Sequence, residues 1–223
     1  MTSTDADTRE ASTTAQRHRN VADTGLVTFL SRATAWILTA GGALGTVAAF
    51  ALILDRISLL KDPDFVPSCS ISPLLSCGSV MTSPQAEVLG FPNPLIGVVA
   101  FPIVTTIGVV TVVGGAVPRS VWLGLQLGAA AGLFFVHWLI GQSLYSIGAL
   151  CPYCMIVWVV TITMFWYVTL HNLTAGHLPI RARWQQAAAH IARYHSAILS
   201  LWFLVIVALI AVRFWPYWVG LVS

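Results

Sequence analysis

Charge is what this sequence has least of. Its 223 residues include 11 Lys and Arg and 8 Asp and Glu, 9% of the chain, where a soluble domain carries about a quarter. Between Arg119 and Arg181 there is no formally charged residue at all. Such a chain cannot clothe a soluble core. The lack of a basic stripe outside the apolar runs removes nucleic acid as a partner. A transport path lined by ionisable groups has no residues to build it through the middle spans. Haem and flavin motifs are missing, and no internal repeat is evident. Cysteine is scarce too: the four present form two pairs, Cys69 with Cys77 and Cys151 with Cys154. What remains is 57% hydrophobic, and the fold class it predicts is an all-α integral membrane protein.

In chain order, residues 1–30 begin with a Thr-, Ser-, Asp- and Arg-rich stretch without apolar periodicity, which predicts a disordered cytoplasmic tail. A first span follows between Arg32 and Asp55, about 22 uncharged residues and long enough to cross a bilayer. Its length, with no small-residue cleavage pattern after it, speaks against a cleaved signal peptide. Residues 56–94 form an extramembrane loop with Lys61, Asp62, Asp64, Glu87 and six prolines. Within it, Val80, Met81, Val88, Leu89 and Phe91 are expected to rest on the membrane surface.

The second span runs from Leu95 to Val117, the third from Val121 to Tyr145, and the fourth from Cys151 to His171. Gly148 and the Cys151-Pro152 pair mark the break before the fourth, since Pro suits the first position of a helix. This four-span core occupies residues 31–172. Residues 173–223 hold a basic interfacial segment with Trp184, Ala188 and Ile191, then a fifth span from Ala197 to Val212. Phe214, Trp215, Tyr217 and Trp218 after it are expected at headgroup level.

Basic residues set the orientation. Arg9, Arg17, Arg19, Arg32, Arg119, Arg181, Arg183 and Arg193 lie on the N-terminal side, against Arg56, Lys61 and Arg213 on the other. The excess puts the N-terminus in the cytoplasm. All four cysteines then fall on the outer, oxidising face, where disulfides persist.

Cys151-Pro152-Tyr153-Cys154 is the motif that carries chemistry. At a helix start its sulfurs lie one turn apart on one face, next to backbone N–H groups that lack intrahelical partners and favour a thiolate. Two structural disulfides, or a zinc site, are the plainer alternatives. A Cys-x-x-Cys ring closes too short a loop to stabilise much, and an oxidising compartment leaves few free thiolates for a metal, so no metal site is expected. A relay by thiol–disulfide exchange fits better, with the proline-broken loop carrying Cys69 or Cys77 to Cys151. Its electrons need an exit, and a lipid-soluble quinone is the acceptor available at membrane depth.

Cys69 and Cys77, then Ser83, then Phe91-Pro92-Asn93, then Cys151-Pro152-Tyr153-Cys154 together resemble the vitamin K epoxide reductase family, in a bacterial form, over about Ala33 to His171. The resemblance implies a four-helix catalytic bundle around a quinone, menaquinone or ubiquinone, in the bacterial plasma membrane. It implies oxidation of a periplasmic thioredoxin-like (DsbA-type) protein, in support of disulfide formation. Many bacterial members carry that domain fused; the residues after the fourth span are too few and too hydrophobic, so a separate partner is expected. Carried over by position, Cys69 meets the partner, Cys77 exchanges with Cys151, and Cys154 meets the quinone. Ser83 and Asn93 match polar positions near the quinone, Asn93 as a donor. Trp158 stands where the vertebrate enzymes have a tyrosine. Epoxide reduction is the neighbouring activity, less expected than quinone reduction. The DsbB type of oxidoreductase has similar parts in the opposite order, with Cys-x-x-Cys first. A small transporter or structural protein is the reading of another class.

His137, about 27 Å along the third span, is a candidate proton donor to the quinone, against a plainer reading as a histidine satisfied by its neighbours. Asp55 and Arg56 read as interfacial charges, with loop docking as the alternative; Gln142 and Ser143 read as polar residues near a helix end, with lining of the site as the alternative; Gly41, Gly42 and Gly45 read as a packing face.

Overall fold

The computed structural model describes the backbone of residues 3–62, 64–72, 74–178, 187 and 190–222, and side chains from Gly25 onward within these except at 218 and 220–222. In chain order the helices are α1 (Ser3–Lys61), α2 (Cys77–Met81), α3 (Pro94–Val112), α4 (Arg119–Gly141), α5 (Pro152–Thr174), α6 (His195–Arg213) and α7 (Trp215–Val222). Five of them, α1 and α3 to α6, are long and apolar enough to cross a membrane. The protein is an all-α, multi-pass membrane protein.

Helix α1 is longer than composition predicts. No proline occurs before Pro63, so nothing interrupts the backbone ladder, and the helix begins at Ser3, inside the segment expected to be disordered. Its apolar part, Gly25–Lys61, has 37 residues, or about 55 Å at 1.5 Å per residue. That exceeds the roughly 30 Å hydrocarbon layer, so α1 carries Asp55 and Arg56 out to the level of the loop.

Helices α1, α3 and α5 meet around Leu38, Phe101, Val160 and Met164. Gly42 and Gly45 face α3, and a Cβ on Gly108 would come within 2.5 Å of the Thr39 backbone nitrogen. With no water to drive helices together in lipid, such close backbone approach supplies the packing. Gly41 faces Met164 on α5 instead. Helix α4 covers α5 from the other side, through Val136 and Ile140 against Trp158 and Ile162. Helix α6 lies outside this bundle, and its Trp202, Phe203 and Ile206 pack on the same cluster.

Two expectations need correction. Phe214 does not face the lipid headgroups but is buried, beside Leu74, Leu144 and Leu150. Met81 turns inward onto the cysteines, so only Val88, Leu89 and Phe91 of its segment are exposed apolar groups suited to a lipid surface. Of the basic segment, Ile191 is exposed, whereas Trp184 and Ala188 lie outside the described residues.

The end of α4 prepares the site. It widens into a π-helical turn, Gln142–Ile147, closed by Gly148 at φ 70°. That left-handed conformation costs a residue with a Cβ about 1–2 kcal/mol, and nothing lies within 4 Å of where the Cβ would be. Gly148→Ala is therefore expected to lower stability by that backbone term alone, as a reduced melting temperature in detergent.

Candidate active site

After Gly148 the chain straightens. Pro152 opens α5 and holds Cys151 extended, at φ −112° and ψ 119°, as a residue before proline prefers. Leu150 then pairs with Leu75 of the loop in a single parallel bridge. Leu150 N donates to Leu74 O at 2.8 Å, and Ser76 N donates to Leu150 O at 2.9 Å. The bridge sets a register in which the following residues, Cys77 and Cys151, come together. Ser76 caps α2, accepting from Ser79 N at 3.3 Å, so Cys77 opens that short helix.

Cys69 and Cys77 form a disulfide, with Cα atoms 5.7 Å apart. The Cys151 Sγ lies 3.0 Å from the Cys77 Sγ, and the sulfurs of Cys69, Cys77 and Cys151 are all within 4.8 Å of one another. Three sulfurs so close have the spacing of metal ligands, but two share a covalent bond, which leaves Cys151 as the one thiolate donor. Thiol–disulfide exchange is the chemistry this arrangement offers. Cys77 and Cys151 are 0% exposed and Cys69 is 6% exposed. The Asp55 carboxylate lies 3.7 Å from the Cys69 sulfur.

Cys151, just ahead of α5, titrates below the ordinary thiol value of 9.0. The hydrogen bond from the Cys154 thiol is the main cause, helped by the N–H groups of Cys154 and Tyr153 and opposed by burial and by Asp55. A lowered value means more thiolate at a given pH. Cys151 alkylation, followed by mass against pH, is therefore expected to level off at lower pH than for an ordinary thiol. Cys154→Ala removes the main cause and should move the profile upward.

Below the sulfurs a cavity of about 550 Å3 opens between α1, α3, α4 and α5, roofed by the loop. Cys154, Ser83, Asn93 and Trp158 line it, as does Arg56. Three buried polar atoms here have no hydrogen-bond partner among the described residues: Asn93 Oδ1, Trp158 Nε1 and Arg56 Nε. Orphaned buried polar groups are rare, and each calls for a ligand, water or strain to explain it. The Ser83 hydroxyl donates to Val80 O at 2.7 Å. Asn93 donates one N–H of Nδ2 to Gln85 O at 2.7 Å, and its Oδ1 is the unpaired atom.

His137 is not among the lining residues. Its Nδ1 meets Leu133 O at 2.9 Å and its Nε2 accepts from Trp202 Nε1 at 3.0 Å, so it faces α6. The cavity stripe of α4 runs through Gly128, Gly132, Val136, Leu139 and Ser143, and position 137 lies one residue, about 100° of helix rotation, past it. Arg56 was missed as a lining residue. Its Nη2 pairs with Glu87 Oε1 at 2.6 Å, tying the end of α1 to the 3-10 turn Pro84–Glu87. A contact between residues so far apart in sequence leaves no local signal.

Residues 36–169, well over half of the chain, match the profile of the vitamin K epoxide reductase family. The chain belongs to that family. The match takes in all four cysteines and every lining residue named above, while α6 and α7 lie beyond it. Membership makes this protein a membrane oxidoreductase of a family that works with quinones and thiol partners. No curated protein matches the chain.

Proposed function

We propose that the protein is a thiol:quinone oxidoreductase that oxidises a separate thioredoxin-like protein outside the plasma membrane of a bacterial cell. The observation that carries this reading is the 3.0 Å approach of Cys77 to Cys151. It joins the loop pair to the pair at the cavity. The charge asymmetry supports a cytoplasmic N-terminus and an outer redox face.

The residues act in a balanced sequence. A partner thiolate attacks Cys69 and expels Cys77 as thiolate, and the partner's second thiol then releases the partner as its disulfide. Cys77 attacks Cys151 in a Cys151–Cys154 disulfide, expelling Cys154. Cys69 then displaces Cys151 from Cys77, which restores the Cys69–Cys77 bond and leaves two electrons on Cys151 and Cys154. This last state matches the one seen, with Cys69 and Cys77 bridged and Cys151 and Cys154 free. Cys154 lines the cavity and is the sulfur that meets the acceptor, with Cys151 closing the disulfide behind it.

A quinone, when bound, supplies a two-electron, two-proton acceptor. The cavity residues suit one: the unpaired donors Trp158 Nε1 and Arg56 Nε fit carbonyl oxygens, Asn93 Oδ1 fits a hydroxyl, and the apolar walls fit rings and a tail. Trp158→Phe keeps the ring and removes the N–H, a loss of about 1 kcal/mol. It is expected to raise the KM for quinone roughly fivefold with kcat little changed, the pattern of lost uniform binding. The proposal is tested by supplying purified protein with a reduced thioredoxin-like protein and a short-chain ubiquinone or menaquinone. Partner disulfide and quinol should form in equal amounts; no partner oxidation with either quinone would overturn it.

A further inference from the structure

The segment that places Cys151 is supported from beyond the residues shared with the family. The π-helical turn makes its last backbone bond from Gly148 N to Ser143 O, at 3.0 Å. The next carbonyl, Leu144 O, accepts from Arg213 Nε at 2.9 Å, from the last residue of α6. Phe214 follows, 7% exposed, in the same cluster as Leu74, Leu144 and Leu150. Leu74 and Leu150 are the residues whose backbones make the bridge to the loop. The Arg213 guanidinium also lies over the Phe214 ring, 5.8 Å from its centroid, which couples the two contacts.

The rest of α6 meets the bundle through a few polar and aromatic contacts. Trp202 donates to His137, Trp166 donates to His195 O at 3.1 Å, and the Trp166 and Trp202 rings meet edge to face. No residue of α6 itself is buried. The helix therefore presents a mostly lipid-facing surface and delivers one charged donor and one buried ring to the turn before Cys151.

We infer that Arg213 and Phe214 are positioning residues for the exchange between the two cysteine pairs. They hold residues 144–150 so that Leu150 keeps its register on Leu75 and Cys151 stays against Cys77. The fifth span is thus a working part of the redox site, acting through the backbone of the turn without touching a sulfur. This rests on the relay reading above, but its test needs neither partner nor quinone.

In a Cys69→Ser/Cys154→Ser background the remaining thiols are Cys77 and Cys151. Equilibration with reduced and oxidised glutathione, which supplies the oxidant, gives their effective concentration from the fraction of Cys77–Cys151 disulfide. Arg213→Gln is expected to lower that concentration roughly tenfold, since small misplacements of reacting groups carry penalties of that order or more. Arg213→Lys, which keeps a charged donor, should recover most of it. Phe214→Leu should lower it as well, so the inference remains testable if one variant folds poorly. Trp202→Phe, which frees α6 from His137 away from the turn, should leave it unchanged. In the four-cysteine protein Arg213→Gln should lower kcat and leave the quinone KM alone. An unchanged effective concentration in Arg213→Gln, or an equal loss in Trp202→Phe, overturns the inference. Absence of the Cys77–Cys151 disulfide in the background protein itself would count against the relay instead.

Discussion

Cys154→Ala is expected to abolish quinone-linked turnover, with a loss on the order of a thousandfold or more, as for other residues that act as one unit. Cys154 belongs to the free pair and is the sulfur lining the cavity. Without it, Cys151 has no disulfide for Cys77 to attack, so electrons from the partner stop at the loop pair. The loop pair keeps its chemistry. Treating the variant with reduced partner should therefore still open Cys69–Cys77, visible as thiols that accept a mass tag, while quinone absorbance stays constant. Turnover at the parental rate would remove Cys154 from the mechanism, and failure of the loop disulfide to open would show damage elsewhere.

Cys77→Ser is expected to be nearly as severe and to leave a different product. Cys77 is bonded to Cys69 and 3.0 Å from Cys151, so every electron pair passes through it. With no sulfur at 77, Cys69 has no resident group to displace a bound partner. A single-cysteine thioredoxin-like protein, supplied with its thiol activated as the mixed disulfide with thionitrobenzoate, should accumulate as a mixed disulfide at Cys69 as the Cys69 thiolate expels thionitrobenzoate, detected as a reducible complex on a gel. Capture at Cys151 instead would reverse the assigned order of the cysteines.

The spans were legible because their ends carry local chemistry. Pro94, Pro118 and Pro152 stand at or next to helix starts, and the pairing and order of the cysteines were enough to suggest the family. The helical continuation of α1 was not legible, since polar composition signals solvation rather than a break in the backbone ladder. His137 shows a second limit: counting residues gave its depth in the bilayer but not its rotation about α4. The Leu75–Leu150 bridge, the Arg56–Glu87 ion pair and the Arg213 bond to Leu144 each join positions distant in the chain. No local pattern announces such pairs. Phe214 misled for a related reason, because an aromatic residue after a span suits both a headgroup belt and a buried plug.

If the redox face is the outer one, as proposed above, the near-complete burial of the Cys69–Cys77 bond has a consequence for traffic in the oxidising compartment. Free small thiols diffuse there in many forms, and an open disulfide wired to an electron acceptor would drain them indiscriminately. Here Cys77 is 0% and Cys69 6% exposed, so a partner that lifts the loop to reach them would also break the strand pairing that aligns Cys77 with Cys151. In the proposed relay, admission and onward conduction would then be mutually exclusive positions of one loop. On the function proposed above, the site would work as an airlock, taking electrons from a macromolecule large enough to pry the loop open and closing before passing them inward.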